Sequence, residues 1–148
     1  MTEGSSFPDF TLPDENGNLV SLADLKGAKA VIYFYPKDDT TGCTAEACEF
    51  RDAVPNIKGA RIVGVSPDAS KSHRKFVDKY GLNFTLLADL DHKLAEKCGI
   101  WVEKSMYGRT YMGVERTTYL LDENGKVLKI WSKVKPQGHA AEVQAALS

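Results

Sequence analysis

The sequence predicts an α/β fold: a mixed central sheet with helices on both faces. Three observations carry that prediction. Short runs rich in β-branched and aromatic residues, Ala30 to Tyr35, Arg61 to Ser66 and Phe84 to Ala88, have the composition of buried central strands. Helix-like segments with breakers at their C-terminal sides alternate with them, and strand, helix, strand in succession implies parallel crossovers. Two later strand-like runs flank Asp122-Glu123-Asn124-Gly125, which implies an antiparallel pair added to the same sheet.

The elements follow in order. Leu12-Pro13-Asp14-Glu15-Asn16-Gly17 reads as the turn of an N-terminal hairpin. Its likeness to Leu120-Leu121-Asp122-Glu123-Asn124-Gly125 stops at the turn and marks no internal repeat. The first helix expected after a central strand spans Thr44 to Val54 and stops at Pro55. The next spans Ser70 to Tyr80 and stops at Gly81, and a third spans Leu90 to Cys98 and stops at Gly99. Thr117 to Leu121 and Lys126 to Trp131 form the late hairpin, and a helix over about Gly138 to Leu147 ends the chain. Together these elements make a thioredoxin-like layout with an N-terminal β-hairpin extension.

Length and charge narrow the function classes. A chain of 148 residues, 43% hydrophobic and 26% charged, is expected to be one domain over 1–148 and can bury a core without a metal or disulfide staple. Its 19 basic and 20 acidic residues leave a formal net charge of −1, which offers no electrostatic footprint for nucleic acid or an anionic membrane. The first residues carry neither a basic nor an apolar targeting region, and no apolar run approaches a membrane span, so a soluble cytoplasmic protein is expected. Three cysteines, an odd number, argue against a secreted disulfide scaffold and for thiols kept reduced for chemistry or packing.

The chemistry concentrates where the first central strand turns into its helix, at Tyr35-Pro36-Lys37-Asp38-Asp39-Thr40-Thr41-Gly42-Cys43-Thr44-Ala45-Glu46-Ala47-Cys48. Cys43 falls at the opening of the helix, where unpaired backbone N–H groups and the positive end of the helix dipole favour an anion. The thiolate is such an anion and is the nucleophilic form of the side chain. Pro36 fixes the backbone as the strand ends, and Thr40, three residues before Cys43, can turn its hydroxyl toward the sulfur. A buried core thiol would need none of these neighbours, so Cys43 reads as a nucleophile. Lys37, Asp38 and Asp39 read as solvated loop.

Cys48 lies five residues on, which in a helix means about 140° of rotation and about 7.5 Å of rise. The two sulfurs therefore point to different sides, and a disulfide between them requires the helix to unwind. The apolar face is Cys43, Ala47, Phe50 and Val54, with Cys48 off it. Cys48 is either a small half-buried helix residue or a redox partner. Cys98, four residues after Leu94 and just before Gly99, reads as core, with an alternative resolving thiol as the functional option. Trp101, Met106, Tyr107, Tyr111 and Met112 read as a packed loop and strand edge, and otherwise as a wall of the site or a reductase surface. His73, His92 and His139 lack ligand spacing and read as solvated surface histidines, and no metal is expected.

The run from Phe34 to Asp52 closely resembles the active-site stretch of the peroxiredoxins, in particular the bacterioferritin comigratory protein or peroxiredoxin Q subfamily. The resemblance extends to Pro8-Asp9-Phe10-Thr11-Leu12-Pro13, to Val63-Gly64-Val65-Ser66-Pro67-Asp68 and to the stretch from Tyr107 to Thr118. It implies a thiol peroxidase in which Pro36, Thr40 and Cys43 occupy the Pro-x-x-x-Thr-x-x-Cys positions. In this resemblance Cys43 is similar to the peroxidatic cysteine, and Arg116 matches an arginine brought to it from a distant strand. Cys48 matches a resolving cysteine that forms a disulfide within one subunit. Thr41 stands where most relatives have proline.

The implied cycle needs no cofactor. Arg116, the Thr40 hydroxyl and backbone N–H groups near Gly42 and Cys43 align the O–O bond of a hydroperoxide, and Cys43 becomes a sulfenic acid. Cys48 condenses with it to a disulfide, which a thioredoxin-type reductant reopens. The reductant is implied by the family alone. Glu46 either orients Arg116 or is ordinary stabilisation of a helix start. Many relatives are monomers, and an internal disulfide needs no second subunit. Two other classes fit less well: a dithiol oxidoreductase expects Cys-x-x-Cys where this chain has Cys-x-x-x-x-Cys, and a zinc module expects paired ligands at coordinating spacings.

Overall fold

A computed structural model describes residues 1–147. Its central sheet has five strands: β3 (Lys29–Phe34), β4 (Ala60–Ser66), β5 (Thr85–Ala88), β8 (Thr117–Leu121) and β9 (Val127–Ser132). They lie in the order β5-β4-β3-β8-β9. The pairs β3·β4 and β4·β5 are parallel, and β3·β8 and β8·β9 are antiparallel. The parallel half follows from the helices between its strands: α2 (Thr41–Ala53) joins β3 to β4, and α3 (Ser70–Tyr80) joins β4 to β5. A short hairpin, β1 (Thr11–Pro13) with β2 (Leu19–Ser21), and the one-turn α1 (Leu22–Leu25) precede the sheet.

The pleat of β3 divides the core. Ala30, Ile32 and Phe34 face one layer with Leu22 and Leu25 of α1 and Leu94 and Ala95 of α4 (Lys93–Lys97). Val31, Tyr33 and Tyr35 face the other, with α2, α3 and α5 (His139–Ala146) supplying Cys43, Ala47, Phe50, Phe76 and Val143. The Phe50 ring stacks on Tyr33 with centroids 4.7 Å apart, and burial of such a ring is worth about 2–3 kcal/mol. The helix start that carries Cys43 therefore rests on the C-terminal end of the central strand.

The two Asp-x-Asn-Gly segments form matching loops. In each, an aspartate side chain, Asp14 or Asp122, accepts hydrogen bonds from the backbone N–H groups two and four residues on. Gly17 and Gly125 take φ values of +80° and +82°. Most expected elements lie within a few residues of their places, with two differences of extent. Helix α2 begins at Thr41, three residues earlier than expected, and α4 is limited to Lys93–Lys97 because the chain turns at Asp89–His92.

Three expectations are corrected. First, the stretch from Trp101 to Met112 is a two-stranded hairpin, β6 (Trp101–Met106) with β7 (Arg109–Val114), rather than a packed loop and strand edge. Its Met106, Tyr107, Tyr111 and Met112 are exposed, and the ribbon is a two-stranded sheet of its own, separate from the central five strands. Tyr107 (φ +51°) and Gly108 (φ +75°) make the two-residue turn, both in the left-handed region that such a turn demands.

Second, His73 and His139 are fully buried. His73 shares the inner face of α3 with Phe76 and Val77, and the His139 ring lies edge-on to Phe50 and Trp131. His92 is half-buried, stacked on Trp101 at 3.9 Å. Third, Asp38 is a buried residue, not solvated loop: its carboxylate accepts from Tyr35 Oη at 2.6 Å and lies 2.7 Å from His73 Nδ1. Asp39, beside it, does face outward, paired with Lys79 and Tyr80.

Candidate active site

Chain geometry brings Cys43 and Arg116 together across 73 positions of sequence. Pairing of β3 ends at Phe34, and Pro36, which has no N–H to offer a neighbouring strand, turns the chain out of the sheet. Thr40 is the N-cap of α2 and Cys43 its third residue, so the sulfur sits in the first turn, where backbone N–H groups lack helical partners. Arg116 lies between β7 and β8. Its backbone carbonyl accepts from Val134 N–H at 3.0 Å, which fixes the point from which the side chain reaches α2.

The Arg116 guanidinium forks. Nη2 donates to Cys43 Sγ at 3.0 Å, and Nη1 donates to Glu46 Oε1 at 3.1 Å. Cys43 and Glu46 are each 1% exposed, while the Arg116 side chain keeps 17%. A guanidinium can only donate, so the sulfur is the acceptor. Burial pushes the Glu46 carboxyl up to about 7, against the opposing pull of Arg116. The site therefore holds one fixed positive charge between two groups able to be negative.

Gly42 has a steric reason to be glycine. A Cβ there would lie 3.0 Å from Arg116 Nη2 and 3.2 Å from Pro136 Cγ, so any side chain would displace the guanidinium or the loop leading to α5. Thr40 is exposed, and its hydroxyl donates to the Lys37 carbonyl at 2.9 Å. Its hydrogen is thus committed to the backbone rather than turned to the sulfur. The oxygen lone pairs remain as acceptors, which suits a substrate that brings its own O–H.

The remaining cysteines sit differently. Cys48 is half-buried on α2, off the face formed by Cys43, Glu46, Ala47, Phe50 and Ala53. Val54, expected on that face, is only partly buried and begins a 3-10 turn. Cys98, the C-cap of α4, is buried beside Tyr119, and burial pushes its thiol up to about 12. All three thiols are free.

Sequence reasoning missed two neighbours of the site. Pro136 closes over Gly42, and Lys104 of the β6–β7 hairpin lies within electrostatic reach of Cys43 and Arg116. Burial, with Arg116 second, pulls Lys104 below the ordinary lysine range. Neither residue carries a local sequence signal; both arrive through tertiary packing. A groove of about 490 Å³ lined by Val20, Leu25, Ile57, Ile62 and Phe84 lies at the N-terminal ends of β4 and β5, the opposite end of the sheet from Cys43. Among the described residues, no helix is long and apolar enough to cross a membrane, and no group of His, Cys, Asp and Glu is placed to hold a metal.

Known proteins match this chain along its length. The AhpC/TSA family model matches residues 4–130. A putative peroxiredoxin bcp of Coxiella burnetii is 50% identical over 146 residues, covering 97% of each chain. Peroxiredoxin Bcp of Bacillus subtilis is 47% identical, over 97% of this chain and 93% of its own. Among solved structures, Xanthomonas campestris bacterioferritin comigratory protein, studied for its alkyl peroxide reduction activity, superposes with a TM-score of 0.88 at 43% identity. That match covers 93% of this chain and 89% of the other. A cysteine-to-serine mutant of the Xylella fastidiosa PrxQ gives a TM-score of 0.93 at 34% identity, over 99% and 95%. With its mixed, thioredoxin-like sheet and its match to these relatives over nearly the whole chain, the protein belongs to the AhpC/TSA family, as a peroxiredoxin of the Bcp/peroxiredoxin Q type.

Proposed function

We propose that the chain is a single-domain, monomeric, cytoplasmic peroxidase that reduces hydrogen peroxide and organic hydroperoxides with Cys43 as the attacking sulfur. The observation that carries this reading is the 3.0 Å contact from Arg116 Nη2 to Cys43 Sγ at the first turn of α2. A permanent cation and a helix N-terminus converge there on one buried sulfur. The alkyl peroxide reduction studied in the Xanthomonas campestris relative supports organic hydroperoxides as a substrate class.

The Cys43 thiolate attacks the distal oxygen of R–O–O–H. The S–O bond forms as the O–O bond breaks, sulfur is oxidised to a sulfenic acid, and RO⁻ leaves and takes up a proton to give the alcohol, or water when R is hydrogen. Thr40 accepts from the peroxide O–H, and Arg116 and the N–H groups near Gly42 and Cys43 support charge on the departing oxygen. Pro36 shapes the turn that delivers Thr40. Glu46 holds the other end of the Arg116 fork and so aims it.

Cys48 resolves the sulfenic acid. Its sulfur attacks that of Cys43, an S–S bond forms and water leaves. The folded helix keeps the two apart, so the first turns of α2 must unwind first, and a helix of this length is held mainly by packing rather than by its own propensity. A thioredoxin-type dithiol then reduces the disulfide by two exchanges, becoming oxidised itself. The test is peroxide consumption coupled to thioredoxin by wild type, Cys43→Ser and Cys48→Ser. Loss of turnover in both is expected, with Cys48→Ser still oxidising Cys43 once. Sustained fast consumption by Cys43→Ser would contradict the assignment.

A further inference from the structure

The β3–α2 loop, which delivers Thr40 and Cys43, is anchored by a buried polar hub that the sulfur chemistry does not use. Tyr35 Oη donates to Asp38 Oδ1 at 2.6 Å, and Ser72 Oγ donates to Asp38 Oδ2 at 2.8 Å. His73 Nδ1 lies 2.7 Å from the same Oδ2, and His73 Nε2 donates to the Leu87 carbonyl at 2.9 Å. The Asp38 backbone N–H donates to Asp68 Oδ2 at 2.8 Å, and Asp68 in turn accepts from Ser66 Oγ at 2.7 Å. The His73 side chain has no exposed surface and that of Asp38 has 4%.

One aspartate thus ties the end of β3 to α3, to the β4–α3 connection and, through His73, to β5. Such a hub is costly to bury. Apolar residues of similar volume often serve stability as well as or better than a buried ionisable pair. Unlike apolar packing, the hub fixes the direction in which the chain leaves Asp38. Asp39 follows with φ +56°, gripped from outside by Lys79 and Tyr80, and Thr40 then caps α2. Helix α3 therefore holds both aspartates immediately before the N-cap.

We propose that Asp38 and His73 are positioning residues for peroxide reduction: they set the β3–α2 loop so that Thr40 and the first turn of α2 present Cys43 to the O–O bond in one geometry. The inference rests on Cys43 being the attacking group. Misplacement of reacting atoms by an ångström can cost about a hundredfold in rate, so a loosened loop is expected to show in chemistry before it shows in folding.

The test compares wild type with His73→Phe, with Asp38→Leu/His73→Phe, and with Ser72→Ala, which removes one bond from the hub at a half-buried helix position and keeps the test available should a core variant fail to fold. Three quantities are measured: thermal midpoint, single-turnover rate of Cys43 oxidation by hydrogen peroxide, and rate of Cys43 alkylation by iodoacetamide, which needs the sulfur but no peroxide alignment. The single core variant is expected to lose both midpoint and peroxide rate. The double variant removes the buried charge but leaves the Tyr35 hydroxyl without its Asp38 acceptor, so it is expected to recover only part of the midpoint while its peroxide rate stays about tenfold or more below wild type, with alkylation within about twofold. Ser72→Ala is expected to lower the peroxide rate severalfold with alkylation unchanged. Wild-type peroxide rates in the folded variants, or alkylation falling in step with peroxide oxidation, would overturn the positioning role. Sustained peroxide consumption by Cys43→Ser would instead overturn the assignment of Cys43, so the two failures are distinguishable.

Discussion

Cys43 and Cys98 are both buried, 1% and 6% exposed, both at helix ends, and their surroundings oppose one another. Cys43 lies in the first turn of a thirteen-residue helix, with a guanidinium nitrogen at 3.0 Å. Cys98 caps the C-terminal end of a five-residue helix, where carbonyl groups gather, and is packed with Leu94, Ile100 and Tyr119 in the other core layer. Burial pushes the Cys98 thiol up to about 12, so almost none of it is thiolate near neutral pH. Equal burial thus leaves the two thiols in opposite electrostatic settings, which differ in the end of the helix and in the charge that meets the sulfur.

The contrast can be broken from the Cys43 side. Arg116→Met removes the cation while keeping much of the side-chain volume, and the peroxide rate constant is expected to fall by about 10²- to 10³-fold in single-turnover oxidation. A fall below tenfold would mean that the helix N-terminus suffices without the arginine. Glu46 sharpens the same comparison through pH. Its carboxyl stands at 4.5 in the unfolded chain and at about 7 when buried, so between those values the native state binds the proton more tightly than the unfolded state. Stability is therefore fully retained below pH 4.5 and falls as pH rises toward 7, by about 3 kcal/mol at most. Glu46→Gln is expected to flatten that part of the stability curve, measured by denaturant unfolding at pH 5 and pH 8. The smallest effect belongs to Cys98→Ala, expected to cost about 1 kcal/mol in unfolding free energy with turnover unchanged.

The central strands, α3 and the late hairpin were legible because each has a composition and a breaker of its own. The loop and helix start around Cys43 were legible as motif: Pro36, Thr40, Gly42 and Cys43 are close in sequence and lie on one strand-to-helix turn. Arg116 came from family resemblance alone, since nothing in its local sequence points 73 residues back. His73 had a readable signal that its polar neighbours hid: with Phe76 and Val77 it makes the i, i+3, i+4 stripe that α3 buries. Asp38 had none, because two adjacent aspartates look alike until the backbone turns one inward and the other out. The β6–β7 ribbon was missed because its turn is Tyr107-Gly108, where asparagine before glycine is the usual mark of two left-handed residues.

The most direct question is which sulfur meets the peroxide. Reduced protein is treated with one equivalent of hydrogen peroxide, the remaining thiols are blocked, and the cysteine-containing peptides are mapped by mass. The predicted result is a Cys43–Cys48 disulfide with Cys98 blocked as a free thiol. Oxidation of Cys98 with Cys43 recovered as a free thiol would contradict it.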